Sequence, residues 1–403
     1  MKLNLLAFAI PFFLMFMALE YWWGKRKRKK VYQVSETIAN INVGIAERLS
    51  DILTTGAFYF FFTWIHENFA IFQIKASILN WALLFLLTDL VWYWYHRFGH
   101  EVNLFWSVHV VHHQSDDFNY SVSARITVLQ AIARGLFWSV LPLVGFPPHM
   151  VTILLMIHGT YPFFTHTQLV GKLGWIEYIL VTPSHHRVHH SSNEEYLDKN
   201  YGDVLIIWDK IFGTFAKEEA VPKYGLTEPL KGYSFLWQHF HFILEMIIAF
   251  KRAKGFTQKC KILFGKPDNI DPRIRTYLEK KLASKNKKYA ASDALLDIIK
   301  IQTVFTLVIL FFTILFSDQL TMTLLCILSL FIVLSVIATG AMLEQRRWIF
   351  HLDYARLVLI SLFSYIIYPH QYVAIIIVII LAFILVFYKS LNNQYHNIIY
   401  RLR

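Results

Sequence analysis

The chain has 403 residues, 56% of them hydrophobic and only 16% charged, and 39 Lys and Arg against 27 Asp and Glu leave a formal charge of +12. A soluble globular domain carries about 25% charged residues, so this balance excludes an ordinary soluble protein; the basic excess follows from Lys and Arg collecting on one side of a membrane and implies no nucleic acid. Only two cysteines occur, Cys260 and Cys326, in no CxxC pair, which argues against a disulfide framework and against thiolate zinc sites.

In chain order, the apolar run from Leu3 to Trp23 precedes Lys25-Arg26-Lys27-Arg28-Lys29-Lys30, the reverse of the order in a cleavable secretory signal. It predicts an anchor helix with its N-terminus outside and Gly24–Ser35 in the cytosol. Spans near Ile52–Ile65 and Ile78–Tyr95 carry the chain out and back, so that His96 emerges on the cytosolic face. Ile126–Phe146 and Met150–Thr165, joined at Pro147-Pro148, read as a hairpin of two spans. From about Ser184 to Lys300 the chain is polar enough to be cytosolic. Within it Phe235–Phe250 is an interfacial amphipathic helix, and Lys280–Lys288 is a solvated loop beside anionic headgroups. Ile301–Phe316 and Leu320–Ala341 form a second hairpin, ending at Glu344-Gln345-Arg346-Arg347. A third runs from Leu357 to Tyr388 through Pro369-His370-Gln371; its first arm is short, and Arg401 and Arg403 return it to the cytosol.

Three histidine motifs fall where this topology meets one membrane face: His96 and His100 as HxxxH, then His109, His112 and His113 as HxxHH, then His186, His189 and His190 as HxxHH again. Positions i, i+3 and i+4 share one side of a helix, so each motif can aim its imidazoles at a common point. Eight imidazoles suit one or two first-row transition metals, with iron, zinc, copper and nickel all compatible. HExxH is absent, so a zinc protease has no support. His166, between the second and third motifs, is the candidate for a ninth ligand. His185 points about 100° away from His186 on a helix, and His158, mid-span, reaches either a cavity or a neighbouring helix. The fold expected is all-α: a polytopic membrane protein with a helical histidine-rich di-metal site capped on the cytosolic face. Its divisions are N-terminal membrane helices and basic loop (1–77), a histidine-bearing catalytic unit (78–220), a cytosolic or interfacial segment (221–300) and a C-terminal membrane unit (301–403).

Asp89, Tyr93, His96 and His100 lie on one helical stripe, with Asp89 inside the membrane. An intramembrane carboxylate is costly enough to be a functional candidate, here one that receives the second ring N–H of a ligating histidine; a structural pairing with a nearby Arg or Trp is the other reading. Glu101 follows His100 directly and is a candidate ligand, base or cofactor contact, or else a solvated charge. Asp89 and Glu101 are the two carboxylates singled out as catalytic candidates.

These residues resemble the membrane fatty acid hydroxylase and sterol desaturase superfamily of non-haem di-iron oxygenases. The resemblance rests on Asp89–Glu101, His109–Ser115 and Ser184–His190, and continues through Asp198-Lys199-Asn200-Tyr201-Gly202 and Trp208–Phe215. It implies two iron ions held by His96, His100, His109, His112, His113, His186, His189 and His190, with O2 as oxidant. Within the superfamily, the membrane-spanning tail after Lys300 favours members that cleave the ether bond of alkylglycerols with a reduced pterin, tetrahydrobiopterin, as external electron donor; Glu101 would then contact that cofactor. The implied lipid substrate enters from the bilayer of a cell inner membrane or the endoplasmic reticulum. A hydroxylase or desaturase of sterols, carotenoids or acyl chains is the alternative on the same site. A histidine-rich metal transporter is the alternative of another class, but the spans are nearly all apolar apart from Asp89, Arg134 and His158. No GxGxxG, P-loop or CxxCH is present, so the electron donor is external.

Overall fold

The computed structural model describes residues 3–282 and 293–400. The expected positions Arg401 and Arg403, and most of the lysine-rich loop through Lys288, lie outside the described residues. The protein is all-α: among the described residues the only β-type pairings are isolated bridges, Leu180 with Leu205 and Ser191 with Tyr224.

The N-terminal helix α1 (Ala9–Arg26) continues a 3-10 turn, Leu5–Phe8, in which the Asn4 side chain accepts the Leu6 N–H. It ends in Lys25 and Arg26, cations suited to the negative end of the helix dipole. Helix α2 (Val34–Phe69) is 36 residues long, about 54 Å at 1.5 Å per residue and so longer than a hydrocarbon core of about 30 Å. The span expected at Ile52–Ile65 is the second half of this helix; its first half buries Asn40, Asn42 and Glu47. Helix α3 (Ile78–Glu101) starts at Ser77, whose Oγ accepts the Asn80 N–H, and ends in the first histidine motif. Short helices follow: α4 (Asn103–His109), α5 (Tyr120–Ser123), α6 (Gln130–Trp138) and α7 (Val140–Val144). After these come α8 (Pro148–Thr165), α9 (Pro183–His189) and α10 (Ile207–Ile211). Next are α11 (Phe235–Arg252), α12 (Phe256–Phe264) and α13 (Arg273–Leu282). The C-terminal block is α14 (Asp293–Leu315), α15 (Met322–Leu343), α16 (Ile349–Ile367), α17 (Gln371–Val386) and α18 (Tyr388–Tyr400).

Five helices among the described residues are long and apolar enough to cross a membrane: Leu5–Arg26, α3, α14, α15 and α16. With the apolar faces of α16 and α17 left uncovered by protein, this makes a multi-pass membrane protein. Two expectations are corrected. The hairpin expected from Ile126 to Thr165 is not two spans. Its first arm is α6 and α7, together only about 22 Å long, and it ends where the chain turns at Gly145 with φ +122°, where a Cβ would stand 1.9 Å from the Phe72 carbonyl oxygen, and then meets Pro147 and Pro148. The third hairpin's first arm is a full helix, α16, and its second arm is bent by 80° between α17 and α18.

Helix α2 is the shared wall of the molecule. On one side Ile45 and Leu49 pack with Leu310, Ile332 and Val336 of α14 and α15; on the other Phe62 packs with Leu84, Trp138, Leu141 and Leu154 of α3, α6, α7 and α8. The first histidine motif ends α3, the second lies on α4 and the 3-10 turn after it, and the third on α9, the short helix that follows α8.

Candidate metal centre

His96 and His100 occupy the last two turns of α3, four residues apart and therefore on one face. Gly99 lets the returning chain approach: a Cβ there would meet the His109 ring at 3.3 Å. His109 closes α4, and His112 and His113 sit on the 3-10 turn that follows. The buried Arg125 clamps this segment, donating to the Val111 carbonyl at 2.7 Å and to the Asn40 and Gln114 side-chain oxygens at 2.9 and 2.6 Å. The third motif is α9, begun by Pro183 after Thr182. There His185 is spent on capping, its Nδ1 accepting the Thr182 N–H at 3.3 Å, while His186, His189 and His190 face the other motifs.

The imidazoles form two groups. His96, His100, His109, His113 and His189 make one, and His112, His166, His186 and His190 the other; within each, one ring nitrogen per residue lies within 4.8 Å of every other. His166, at the end of α8, completes the second group. Four rings hand their Nδ1 to a backbone carbonyl: His96 to Tyr201 at 2.9 Å, His112 to Arg125 at 3.2 Å, His166 to Pro162 at 2.6 Å and His189 to Lys199 at 3.0 Å. A carbonyl only accepts, so these nitrogens carry the proton and the Nε2 lone pairs point inward. The Nε2 atoms of His112 and His166 then face each other at 3.3 Å as two acceptors, and Nε2 of His100, His189 and His190 is buried without a hydrogen-bond partner. Converging lone pairs with no donor between them fit cations. Burial holds the imidazoles of His109, His112, His113, His186, His189 and His190, outside the membrane-spanning helices, well below their ordinary pKa. They are therefore neutral and free to ligate at pH 7.

Asp89 does not reach a ring of either group. Its carboxylate accepts the N–H groups of Val204 and Leu205 at 3.0 and 3.1 Å and the Trp208 indole N–H at 2.9 Å. It also lies 3.4 Å from Nδ1 of His158, which bonds Asp203 at 2.8 Å. The tautomer of His96 is instead fixed by the Tyr201 carbonyl, in the loop that Asp89 holds. Asp209 secures the same loop, accepting from the Tyr201 and Gly202 N–H groups at 2.7 and 2.8 Å, and the Asn200 amide bridges to the His185 and Ala216 carbonyls. Glu101 lies outside both groups, paired with Arg97 at 3.1 Å. His239 and His241 on α11 are buried but join neither group. Asp203 and Arg125 were not singled out by the sequence; Asp203 directly follows the Asn200-Tyr201-Gly202 motif, and that adjacency was the available signal.

Residues 81–214 match the fatty acid hydroxylase family model. Alkylglycerol monooxygenase of Homo sapiens is 35% identical over 347 residues, covering 84% of this chain and 77% of that protein. The chain belongs to the alkylglycerol monooxygenase family. The Danio rerio relative is 32% identical over 88% of this chain and 81% of its own length. A Rhizobium tropici ornithine lipid hydroxylase is 28% identical over 124 residues, 30% of this chain and 38% of its own. No solved structure matches. Every histidine of both groups lies within the stretch matched by the family model.

Proposed function

We propose that the chain is a membrane-embedded, O2-dependent di-iron monooxygenase that cleaves the ether bond of alkylglycerols by hydroxylating the carbon next to the ether oxygen. The observation that carries this reading is that histidines of both groups form part of the wall of a mostly apolar cavity of about 270 Å³, whose apolar wall includes Phe12 and Phe13 of α1, Ile45 of α2, Trp92 and Tyr95 of α3, Phe163 of α8 and Leu310 of α14. The cavity shares Ile10, Ile41 and Leu307 with an apolar groove of about 680 Å³ between α1, α2 and α14, so a long chain can lie along the helices while its reacting carbon stands at the histidines. A lipid reaches the site without crossing water.

Two iron ions held by His96, His100, His109, His113 and His189 and by His112, His166, His186 and His190 would supply the activation of O2 needed to place one oxygen atom in a C–H bond. The chain's own residues do the rest. Trp92, Tyr95 and Phe163 exclude water from the reacting carbon. Ser123, Gln130 and Asp203 are polar groups in the same wall and give glycerol hydroxyls partners. The Nδ1–H bonds to Tyr201, Arg125, Pro162 and Lys199 hold four rings in a fixed tautomer. The hydroxylated ether carbon is a hemiacetal, which falls apart to an aldehyde and glycerol. A cytosolic site is supported by Lys27, in the polybasic cluster, whose Nζ bonds the Leu169 carbonyl at 3.1 Å, three residues beyond His166.

Turnover of an alkylglycerol under 18O2, with the aldehyde trapped by immediate reduction, tests the reaction. The label is expected in the aldehyde-derived alcohol and not in glycerol; an unlabelled aldehyde would mean that its oxygen comes from water, as after desaturation to a vinyl ether, and would contradict the proposal.

A further inference from the structure

The loop between α9 and α10 carries a buried charge that belongs to neither histidine group. Asp203 is 3% exposed and lines the same cavity as His96, His112 and His186. One of its oxygens is committed: Nδ1–H of the buried His158 donates to Oδ2 at 2.8 Å. The other, Oδ1, is buried with no hydrogen-bond partner among the described residues, a costly state for a carboxylate oxygen and one that calls for a ligand. Asp203 stands two residues after Tyr201, whose carbonyl accepts the His96 Nδ1–H at 2.9 Å, so at most about 7 Å of chain separates it from a residue touching the candidate centre. Its place is fixed from both sides. Asp89 holds the Val204 and Leu205 N–H groups that follow it, and Asp209 holds those of Tyr201 and Gly202 before it. Burial raises the affinity of the Asp203 carboxyl for a proton and the Arg134 guanidinium opposes this, so the group can both take and return one.

We propose that Asp203 is the proton-transfer group that breaks the hemiacetal while it is still in the cavity, which makes the chain a hemiacetal lyase as well as a monooxygenase. The proposal rests on the monooxygenase reading above. Hydroxylation leaves the reacting carbon bonded to two oxygens, the new hydroxyl and the ether oxygen of glycerol. Oδ1 takes the hydroxyl proton, and the electron pair of that O–H bond forms the C=O bond of the aldehyde. The C–O bond to glycerol breaks with its electron pair left on the glycerol oxygen, which takes the proton back from Asp203. Nothing is oxidised or reduced, no co-reactant is consumed, and the carboxylate is restored. Both oxygens sit on one carbon, so a single carboxyl serves them in turn. The apolar wall excludes the water that would otherwise carry the proton, and the side chains offer no second base. Ser123 and Gln130 hold no proton-accepting group of suitable strength. Glu47, the other carboxylate in the wall, is tied to Arg48 at 2.7 and 3.0 Å, and the imidazoles are candidate ligands.

The lyase step is read without O2. Full-length iron-loaded protein in nanodiscs is given the hemiacetal itself, made in place by an added esterase from the 1-acetoxyhexadecyl ether of glycerol, and aldehyde is followed by stopped flow through excess aldehyde dehydrogenase. The parent is expected to release aldehyde about 10²- to 10⁴-fold faster than buffer alone, the usual reach of general acid–base catalysis. Asp203→Asn keeps the size of the side chain but accepts no proton, and should fall to the buffer rate. Asp203→Ala should fall as far and regain rate with added formate, beyond the effect of formate on the hemiacetal in buffer, which a purely structural role would not produce. A parent no faster than buffer, an Asp203→Asn variant that matches the parent, or an Asp203→Ala variant that formate does not restore overturns the proposal. A parent that speeds hemiacetal breakdown yet places no oxygen from 18O2 in the aldehyde would contradict the monooxygenase reading and leave the lyase step standing.

Discussion

At the scale of single residues, the candidate centre depends on which histidines face it and what fixes their rings. The spacing of the three motifs was legible because i, i+3 and i+4 positions share one side of a helix, but only the first motif aims at a single point: the second and third each divide between the two groups. His166 and His185 show where that legibility ends. His166 stands alone in sequence and is placed by the end of α8, whereas His185 adjoins a motif but is turned away to cap α9. His166→Ala is therefore expected to remove about one of two irons per chain, measured by metal analysis. His185→Ala should keep both and cost about 1 kcal/mol of stability, the usual effect of a lost cap, measured by thermal unfolding. Asp203 and Arg125 lacked a spacing signature, since a lone Asp or Arg shows its role through partners distant in sequence: Arg125 through Val111 and Asn40, Asp203 through His158. Asp89 is a positioning residue in this geometry. Asp89→Asn keeps an oxygen acceptor but loses the charge that receives two backbone N–H groups and an indole N–H, so the Tyr201 carbonyl that fixes His96 is held less firmly. Iron affinity is expected to fall by about 10- to 100-fold, the usual cost of losing a group that orients a ligand, while the fold is retained by circular dichroism.

At the scale of elements, composition alone misled at two places, for physical reasons. The run from Ile126 to Phe146 is apolar enough for a span, but Gly145 packed against the Phe72 carbonyl and the two prolines after it cut it short. Helix α2 joins an apolar half to a polar one, and the polar half is tolerated because protein covers it, with Asn40 bonding Ser115 and Ser121. The N-terminal helix was read as an anchor, yet its buried Glu20 accepts from the Tyr120 N–H at 2.9 Å and from the Thr167 hydroxyl at 2.5 Å, and also from Tyr32, tying α1 to the chain beyond His112 and directly after His166 of the second histidine group. Glu20→Ala leaves these donors buried without an acceptor. It is expected to destabilise the protein by about 1–3 kcal/mol and to speed iron loss in a chelator challenge; unchanged stability and iron retention would show that α1 only anchors. The C-terminal helices reach the substrate cavity through α14. Leu310→Trp, which fills its wall, should raise KM for long-chain alkylglycerols several-fold with iron content unchanged, and an unaltered KM would remove α14 from the substrate path.

At the scale of the whole molecule, the five long apolar helices, the two histidine groups and the apolar cavity form one arrangement. On the proposed function the membrane helices deliver a lipid to a centre at the end of α3 and on the short helices beside it, and the histidines outside the spans stay neutral because they are buried away from water. Overall class and the location of the histidines were open to sequence reading, since bulk hydrophobicity and basic clusters are additive properties. The partition of nine histidines into five and four was not, because it depends on how α3, α4, α8 and α9 cross. The central claim is that these two groups each hold one iron used in ether cleavage, and iron counted per chain in protein that is turning over an alkylglycerol tests it most directly. About two irons per active chain, falling to about one when a histidine of either group is replaced and with aldehyde release lost in both cases, is the predicted result. Full aldehyde release from a chain carrying a single metal, or an iron content indifferent to replacement of histidines in one of the groups, would contradict it.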